Sequence, residues 1–508
     1  MALAITEMVV EHRDLIDTCK KYLEAGFRLL TMVGTDEREE SGQYVLRYYF
    51  AHDIDSTIML LMVNIPEHDP TYPSVSAVVS AAQWYEREVY DLLGIEPLGH
   101  PDVRPLVLHG QRLSVYPLRR DYTIDQPLPE VIRDIRAPEL KEGQFIVPVG
   151  PIHAGVIEPG HFRFLVEGEN VESLDAQLFY THRGLEKKAE GMRVDEAMTL
   201  VEQTCGVCSV SHALAYAQAV ETLAQIEIPS LAKWTRTLLA EMERLYNHVG
   251  DIGNLCAGIG FSFGTMQGAR LKEQLQQLND DVTGHRYLRG MVVVGGVAKA
   301  INHALLERID VTVSAVVQEV GVITSVMLSD EIVCDRLLQT GMLHRDIVEK
   351  LSVVGPAARA SGVRRDVRLN FPYAAYGELL WSVPVFHAGD VMARLQQRIA
   401  EVTESAKLIE QIIARLFSFG NNPVSIAWVK KLPPIQPGSY TIGMSESARG
   451  ENVHFVMIGV NQQIARLRIR SASYANWPAV PYAVPGNIIP DFPLINKSFE
   501  LCYACCDR

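Results

Sequence analysis

Apolar and polar residues alternate along two segments near the start of the chain, residues 44–50 and 57–63. A period of two is typical of β-strands. Helical patterns occur in the same part of the sequence, which predicts a small α+β domain in residues 1–135. Prolines and charged residues then follow over residues 127–143. They indicate a linker, because proline disfavours a continuous helix.

The pattern changes to the helical period of 3.6 after a short predicted strand at residues 161–166. Long amphipathic helices are predicted at residues 210–226, 229–250, 265–279, 299–327 and 385–417. Short strands are predicted at residues 441–444, 453–460 and 464–470, before a proline-rich tail at residues 478–493. The fold class is therefore predicted as α+β, with a large, mainly helical domain in residues 136–508.

Composition places the chain among globular proteins with a sizeable core, because 48% of its 508 residues are hydrophobic and 21% are charged. No window approaches 18 uncharged apolar residues, so no transmembrane helix is predicted. The first residues have no basic stretch ahead of an apolar core, which predicts a cytoplasmic chain. A net charge of −14 disfavours general binding of nucleic acid.

The eight cysteines are too few for a disulfide scaffold. We interpret Cys19, Cys256 and Cys334 as small buried residues, because each is isolated in the sequence. The other five lie in two groups: Cys205-Gly-Val-Cys208, and Cys502-Tyr-Ala-Cys505 with the adjoining Cys506. Paired cysteines in a reducing compartment are typical of metal or redox sites.

Two CxxC pairs offer four thiolates for one soft metal: zinc, nickel or an iron–sulfur cluster. The first pair leads directly into a predicted helix, whose amides stabilise negative charge on sulfur. Zinc ribbons usually carry both pairs within a few tens of residues, whereas these pairs lie almost three hundred residues apart. A structural zinc site is the alternative interpretation.

The cysteine motifs, with His212 after the first and Arg508 after the second, resemble the two metal motifs of [NiFe]-hydrogenase large subunits. Residues 183–186, Arg-Gly-Leu-Glu, are similar to the RGxE element of that family. Residues 446–454 resemble the PRGE segment of its membrane-bound, energy-converting branch, and residues 150–162 resemble the GPxH opening of that branch.

Other segments resemble respiratory complex I. Residues 86–94, 99–104 and 116–122 are similar to the signature of its 30-kDa subunit. Residues 243–248 and 283–286 are similar to its 49-kDa subunit. A fusion of the two subunits indicates the formate hydrogenlyase type of hydrogenase.

The resemblance implies a nickel ion held by Cys205, Cys208, Cys502 and Cys505. It also implies that Cys208 and Cys505 bridge to an iron that carries CO and CN− ligands. Cys205 and Cys502 are then the terminal, catalytic thiolates. The implied reaction is 2H+ + 2e− to H2, in the direction of H2 evolution with formate or another low-potential donor.

The resemblance also assigns residues around the metals. Glu158 is expected to carry protons from a terminal thiolate, with Glu202 as a weaker candidate. Arg449 is expected above the iron ligands, and His212 is expected to orient the first motif by a hydrogen bond. A solvated glutamate and a plain surface arginine are the alternative interpretations of Glu158 and Arg449.

Glu186 corresponds to a ligand of a second metal, magnesium, in the wider family, where a histidine often completes the site. Here Arg508 stands in place of that histidine, and occupancy of the magnesium site is left open. Two further departures are Gln203 where the family has arginine, and residues 500–501, Glu-Leu, where it has Asp-Pro. Neither departure removes a cysteine.

The expected partners are a small subunit with a [4Fe–4S] cluster, ferredoxin-like subunits, integral membrane subunits and formate dehydrogenase. The chain is expected on the cytoplasmic face of the cell membrane, attached through those partners. The N-terminal charged clusters, residues 86–88 and 119–121, are predicted to be docking elements and buried ion pairs. The alternatives are a nickel-free, quinone-reactive subunit of the complex I type and a scaffold held together by zinc.

Overall fold

The structure is a computed structural model that describes residues 3–110, 115–127, 140–152, 158–420 and 432–508. Its strands, in chain order, are β1 Ile5–Val9, β2 Arg28–Glu37, β3 Gln43–His52, β4 Thr57–Pro66, β5 Thr71–Pro73, β6 Glu96–Leu98, β7 Gln144–Val149, β8 His161–Glu167, β9 Asn170–Gln177, β10 Val292–Val293, β11 Gly296–Val297, β12 Tyr440–Ser447, β13 Gly450–Ile458 and β14 Ile464–Arg470.

The α-helices, in the same order, are α1 Leu15–Glu24, α2 Arg38–Ser41, α3 Gln83–Leu93, α4 Leu185–Ala189, α5 Glu196–Glu202, α6 Ser209–Leu223, α7 Ser230–Gly258, α8 Ser262–Thr283, α9 His303–Leu328, α10 Glu331–Leu337, α11 Arg345–Lys350, α12 Gly355–Arg359, α13 Val367–Asn370, α14 Val391–Phe417, α15 Ala472–Asn476, α16 Val480–Ala483, α17 Phe492–Phe499 and α18 Tyr503–Asp507. The α+β prediction is confirmed, and each long predicted helix and strand is present.

The N-terminal sheet has the strand order β1-β4-β3-β2, with β1 parallel to β4 and the other neighbours antiparallel. The two alternating segments of the sequence form β3 and β4 at its centre. Helix α3 packs on β2. The contact is close because Gly34 faces Leu93, where a Cβ atom on the glycine would lie 2.5 Å from Leu93 Cδ1.

The second part of the chain combines a helical bundle with a central antiparallel sheet of order β12-β13-β14. Helix α7 packs between α8 and α14, and α6 lies against β12 and β13. Gly443 on β12 permits that packing, because a Cβ there would lie 2.0 Å from the Ala215 carbonyl oxygen of α6. The sheet thereby holds α6, which begins directly after Cys208, in a fixed position.

Buried ion pairs and a hydrogen bond join the N-terminal part of the chain to the central sheet. Arg28 on β2 pairs with Glu451 on β13 at 2.6 Å, and Arg470 on β14 donates to the Leu30 carbonyl oxygen at 2.8 Å. Glu88 on α3 pairs with Arg468 on β14 at 2.8 Å. These contacts confirm buried ion pairing for the first N-terminal cluster, whereas Arg120 in the second pairs with exposed glutamates.

Other predictions have mixed outcomes. Cys19 and Cys256 are buried as predicted, while Cys334 is half-buried. The proline-rich tail forms short helices, because its prolines occupy first-turn positions that need no amide hydrogen. The predicted linker and the boundary at residue 135 fall largely in 128–139, outside the described residues, so the division into two domains stays a prediction.

Helix α9 bears on the prediction that no segment spans a membrane. In the part of the chain that the structure describes, α9 is the one helix that is long and apolar enough to cross a membrane, judged by length and composition alone. Its mean hydropathy is 1.7 over its best window. A third of that window, 33%, is buried inside the protein. The sequence prediction missed this window, although core helices of soluble proteins meet the same criterion.

Candidate metal centre

Each cysteine pair lies at the beginning of a helix, although the helix starts after the second cysteine of the first pair and after the first cysteine of the second pair. Cys208 is the residue before α6, and Cys502 is the residue before α18. In each motif the first sulfur accepts a backbone amide: Cys205 Sγ from Val207 N at 3.2 Å, and Cys502 Sγ from Cys505 N at 3.3 Å. Amides directed at sulfur stabilise thiolates, which are the metal-binding form of cysteine.

The four thiols converge in the folded chain. The sulfurs of Cys205, Cys502 and Cys505 all lie within 4.8 Å of one another. Cys208 packs in the same cluster and contacts the thiols of Cys205 and Cys505. Two sulfurs bonded to one metal at about 2.3 Å can lie at most about 4.6 Å apart. The distances between these sulfurs are therefore close to those in a metal site. The donor set and its spacing fit a soft metal.

Mutual hydrogen bonding separates the acidities of the thiols. Hydrogen bonds from Cys205 and Cys505 lower the pKa of Cys208 to about 6. The hydrogen bond with Cys205 raises the pKa of Cys502 to about 12. A cluster of this kind therefore retains protons while no cation is bound, and metal binding releases them.

Two charged side chains, the buried Glu243 and the exposed Arg183, fix the two motifs in place. Glu243 on α7 accepts from Val210 N at 2.6 Å and Ser211 N at 3.0 Å, which caps the start of α6. Arg183 joins the motifs to each other: its Nη2 donates to the Thr204 carbonyl at 2.6 Å and to the Ala504 carbonyl at 2.9 Å. The sequence motifs that contain Glu243 and Arg183 were recognised, but these roles were not predicted.

Arg449 lies beside the thiols and is held by a carboxylate that the sequence analysis missed. Its Nη2 and Nη1 contact Asp251 Oδ1 at 2.8 Å and Oδ2 at 3.0 Å, and its Nε donates to the Glu500 carbonyl at 2.9 Å. Burial by itself would lower the pKa of Arg449, but the charges of Asp251 and Cys208 outweigh it and raise the pKa. The guanidinium therefore remains a fixed positive charge.

A signal for Asp251 was present in the sequence. Arg244, His248 and Asp251 repeat at helical spacing along α7, so they share one face of that helix. All three are buried. Charged residues at core positions of a helix require partners, and Asp251 also contacts Arg398 at 3.3 Å.

His212, which is expected to orient the first motif, directs its ring at a sulfur of the second motif. Its Nε2 is 3.4 Å from Cys505 Sγ, and its Nδ1 is 2.9 Å from His454 Nε2. Burial lowers the pKa of His212 to about 3, so the ring is neutral and has one donor and one acceptor nitrogen. With His454 Nε2 as donor to Nδ1, the Nε2 hydrogen of His212 is directed at the Cys505 sulfur.

The two candidate relay carboxylates differ in location. Glu158 Oε2 accepts from Ala504 N at 2.7 Å, between the second pair of cysteines. Burial, and after it the charge of Cys502, raise the pKa of Glu158. Glu202 instead accepts from Gly290 N at 3.0 Å, and burial raises its pKa to about 7. The structure therefore brings Glu158, and not Glu202, against the second motif through a described hydrogen bond.

Glu186, Cys506 and His182 lie in or against the C-terminal segment that carries Cys502 and Cys505. Glu186 is buried among arginines of β14 together with Arg508. Cys506 is buried beside the site. His182 Nδ1 lies 2.6 Å from the Asp507 carbonyl oxygen. Residues 153–157 of the GPxH-like opening fall outside the described residues.

Three family profiles cover most of the chain. The profile of nickel-dependent hydrogenases matches residues 183–257. The profile of the 49-kDa subunit of respiratory-chain NADH dehydrogenase matches residues 258–436 and 428–508, and that of the 30-kDa subunit matches residues 8–127.

Formate hydrogenlyase subunit 5 of Escherichia coli (strain K12) is 35% identical over 96% of this chain and 86% of its own length. The chain belongs to the family of hydrogenase and complex I large subunits. Hydrogenase-4 component G of the same organism is 34% identical over 94% of this large subunit and 84% of its own length. The large subunit is therefore an oxidoreductase subunit with fused 30-kDa-like and 49-kDa-like parts.

A solved structure agrees with this assignment. A chain in the structure of the membrane-bound sulfane sulfur reductase, an archaeal respiratory membrane complex, matches with a TM-score of 0.67 and 26% identity. The match covers 73% of the large subunit and 100% of that chain. Relatives of the large subunit thus include subunits of membrane-bound respiratory complexes.

Proposed function

We propose that the chain is the catalytic large subunit of a membrane-associated [NiFe]-hydrogenase complex that interconverts 2H+ + 2e− and H2. One observation carries the proposal: four thiols, three of them buried and Cys502 half-buried, converge from two distant motifs, and the charges of Arg449 and Glu158 lie close to them. A site that served only to hold a zinc ion would need the sulfurs alone.

Cys205, Cys208, Cys502 and Cys505 would hold nickel, and Cys208 and Cys505 would also hold iron with CO and CN− ligands. When bound, this group supplies the two-electron chemistry that splits or forms the bond of H2. The chain supplies the surroundings. Arg449 offers a buried positive charge and N–H donors toward the thiolates.

Glu158 supports the exit of protons from the site. It is half-buried, its raised pKa favours the protonated form, and it hydrogen-bonds Ala504 N beside Cys502. A carboxyl group beside a cysteine sulfur can accept a proton from it and release that proton again. We propose that Cys502 exchanges protons with Glu158, and that Glu158 passes them outward.

Electrons must come from elsewhere, because the described residues form no second cysteine cluster. We propose a small subunit with a [4Fe–4S] cluster as the immediate partner. Ferredoxin-like subunits would carry electrons from formate dehydrogenase or another low-potential donor. Integral membrane subunits would attach the complex to the cytoplasmic face of the membrane.

The first test is the metal content of the purified complex from a host that matures such enzymes. We expect close to one nickel per polypeptide, little zinc, and infrared bands of CO and CN− on iron. Zinc without nickel would contradict the catalytic proposal and leave the zinc scaffold. Absence of both metals would favour the quinone-reactive alternative.

The second test is Glu158→Gln. Glutamine keeps an oxygen for the Ala504 amide but holds no exchangeable acid proton, so H2 turnover is expected to fall by about 10²- to 10⁴-fold. Nickel content and the infrared bands should not change. Glu167→Gln is the matched control, because Glu167 is exposed on β8. Turnover of Glu158→Gln equal to that of the control would refute the relay.

A further inference from the structure

Glu186 has an environment unlike that of a metal ligand. A hard cation such as Mg²⁺ needs oxygens with free lone pairs in nearly octahedral geometry. The Glu186 carboxylate instead accepts hydrogen bonds from four N–H groups: to Oε1 from Arg508 Nη1 at 2.9 Å, Ile469 N at 2.9 Å and Arg468 Nη1 at 3.0 Å, and to Oε2 from Arg466 Nη1 at 3.1 Å. Oε1 has no lone pair left for a metal.

The carbonyl oxygen of Ile469 accepts a hydrogen bond from the same guanidinium. Arg508 Nη1, which contacts Glu186, also donates to the Ile469 carbonyl oxygen at 3.1 Å. Carboxylate and backbone carbonyl oxygens are the ligand types that Mg²⁺ uses in proteins. One guanidinium nitrogen therefore contacts both kinds of oxygen that would bind a cation here.

The charges of the cluster also oppose a metal. Arg508 Nη2 contacts Glu88 Oε2 at 2.8 Å, and Arg468 contacts Glu88 Oε1 at 2.8 Å. Three guanidinium groups, those of Arg466, Arg468 and Arg508, thus face the two carboxylates of Glu88 and Glu186. The excess is already positive, and the cluster is buried, with Arg508 only 1% exposed. A divalent cation would be repelled at close range in a medium that screens poorly.

We infer that the Glu186 site takes no divalent cation, and that the guanidinium of Arg508 replaces the cation as its structural element. The guanidinium ties the segment that carries Cys502 and Cys505 to Glu186. It also ties that segment to Glu88 on α3, so the 30-kDa-like part of the chain helps to hold the second cysteine motif. The inference does not depend on which metal the thiols bind.

The test uses the purified complex in buffer without added magnesium. Magnesium and manganese are counted per polypeptide, and thermal unfolding is followed with and without EDTA. We expect well under one equivalent of either metal and the same unfolding temperature in EDTA. One tightly held equivalent, or a lower unfolding temperature in EDTA together with loss of that metal, would overturn the inference.

Arg508→Gln and Arg508→Lys test the guanidinium itself. Glutamine removes the charge, and lysine keeps it but has a single nitrogen to share between two carboxylates. We expect the unfolding temperature to fall most for glutamine and less for lysine, with added Mg²⁺ restoring neither. Arg345→Gln is the control, because Arg345 forms an exposed ion pair. Unchanged stability of Arg508→Gln, or rescue by Mg²⁺, would overturn the inference. If the glutamine variant does not fold, the metal count of the unmodified complex decides.

Discussion

Substitution of Asp251 by asparagine should separate Arg449 from its anchor while leaving the cysteines unchanged. Asp251 makes two hydrogen bonds to Arg449, at 2.8 and 3.0 Å, and one to Arg398 at 3.3 Å. Asparagine has one acceptor oxygen, and its amide group would face N–H donors. One charge-assisted hydrogen bond, about 1.5–3 kcal/mol, is lost and the others weaken.

We expect Asp251→Asn to lower the free energy of unfolding by about 3–5 kcal/mol, which is the range for removing one partner of a buried ion pair. The assay is a urea titration of the purified complex, followed by tryptophan fluorescence. Asp281→Asn is the control, because Asp281 pairs with Arg308 at the surface and should change stability by less than about 1 kcal/mol.

The rate of H2 formation by Asp251→Asn tests whether Asp251 positions Arg449 beside the thiols. A guanidinium that moves by about 1 Å is expected to lower the rate of H2 formation roughly 10- to 100-fold, with nickel content unchanged. A variant that unfolds at the same urea concentration as the control and retains its turnover would refute the assignment of Asp251 as the residue that positions Arg449.

Two further predictions concern the scaffold. Burial raises the pKa of Glu86 to about 7 from its ordinary 4.5, so the native carboxyl keeps a proton that the unfolded chain loses. The contribution of Glu86 to the free energy of unfolding is therefore complete below about pH 4.5, and it falls by about 3 kcal/mol as the pH rises to about 7. Glu86→Gln should remove that fall, and parallel pH profiles of urea unfolding for the variant and the unmodified chain would contradict it. Gly443→Ala should destabilise the contact between β12 and α6 by at least about 1–3 kcal/mol, because its Cβ would lie 2.0 Å from the Ala215 oxygen. Gly321→Ala on α9 is the control: the added Cβ would have no atom within 4 Å, so this variant should raise the free energy of unfolding by about 0.5–1 kcal/mol. Equal stabilities of the two alanine variants would refute the packing argument.

Local features of the metal centre could be predicted from the sequence because they depend on short spacings. A CxxC turn brings two sulfurs together within four residues, and the residues that follow Cys208 carry the helical period of α6. Strands β3 and β4 of the N-terminal sheet and the long helices follow in the same way from their hydrophobic periods, whereas β1 and β2 of that sheet were not predicted. The resemblance to hydrogenases then indicated which distant motifs would meet.

The partners of the charged residues required the tertiary structure. Asp251 and Arg449 are 198 positions apart, and Glu88 and Arg508 are 420 positions apart. The sequence separation of the two residues does not indicate that either pair is in contact, because such contacts depend on how helices and sheets pack. The sequence left the magnesium site open for the same reason.

Local periodicity and short motifs were enough to predict the long helices and the principal strands, to mark the cysteines as candidate ligands and to indicate the family. The folded chain was needed to show that Asp251 anchors Arg449, that Glu158 rather than Glu202 contacts the second motif, and that Arg508 lies against Glu186. A buried charge must find an opposite charge or a hydrogen-bond partner in space, whatever its distance along the chain, and these partners meet only when the chain has folded.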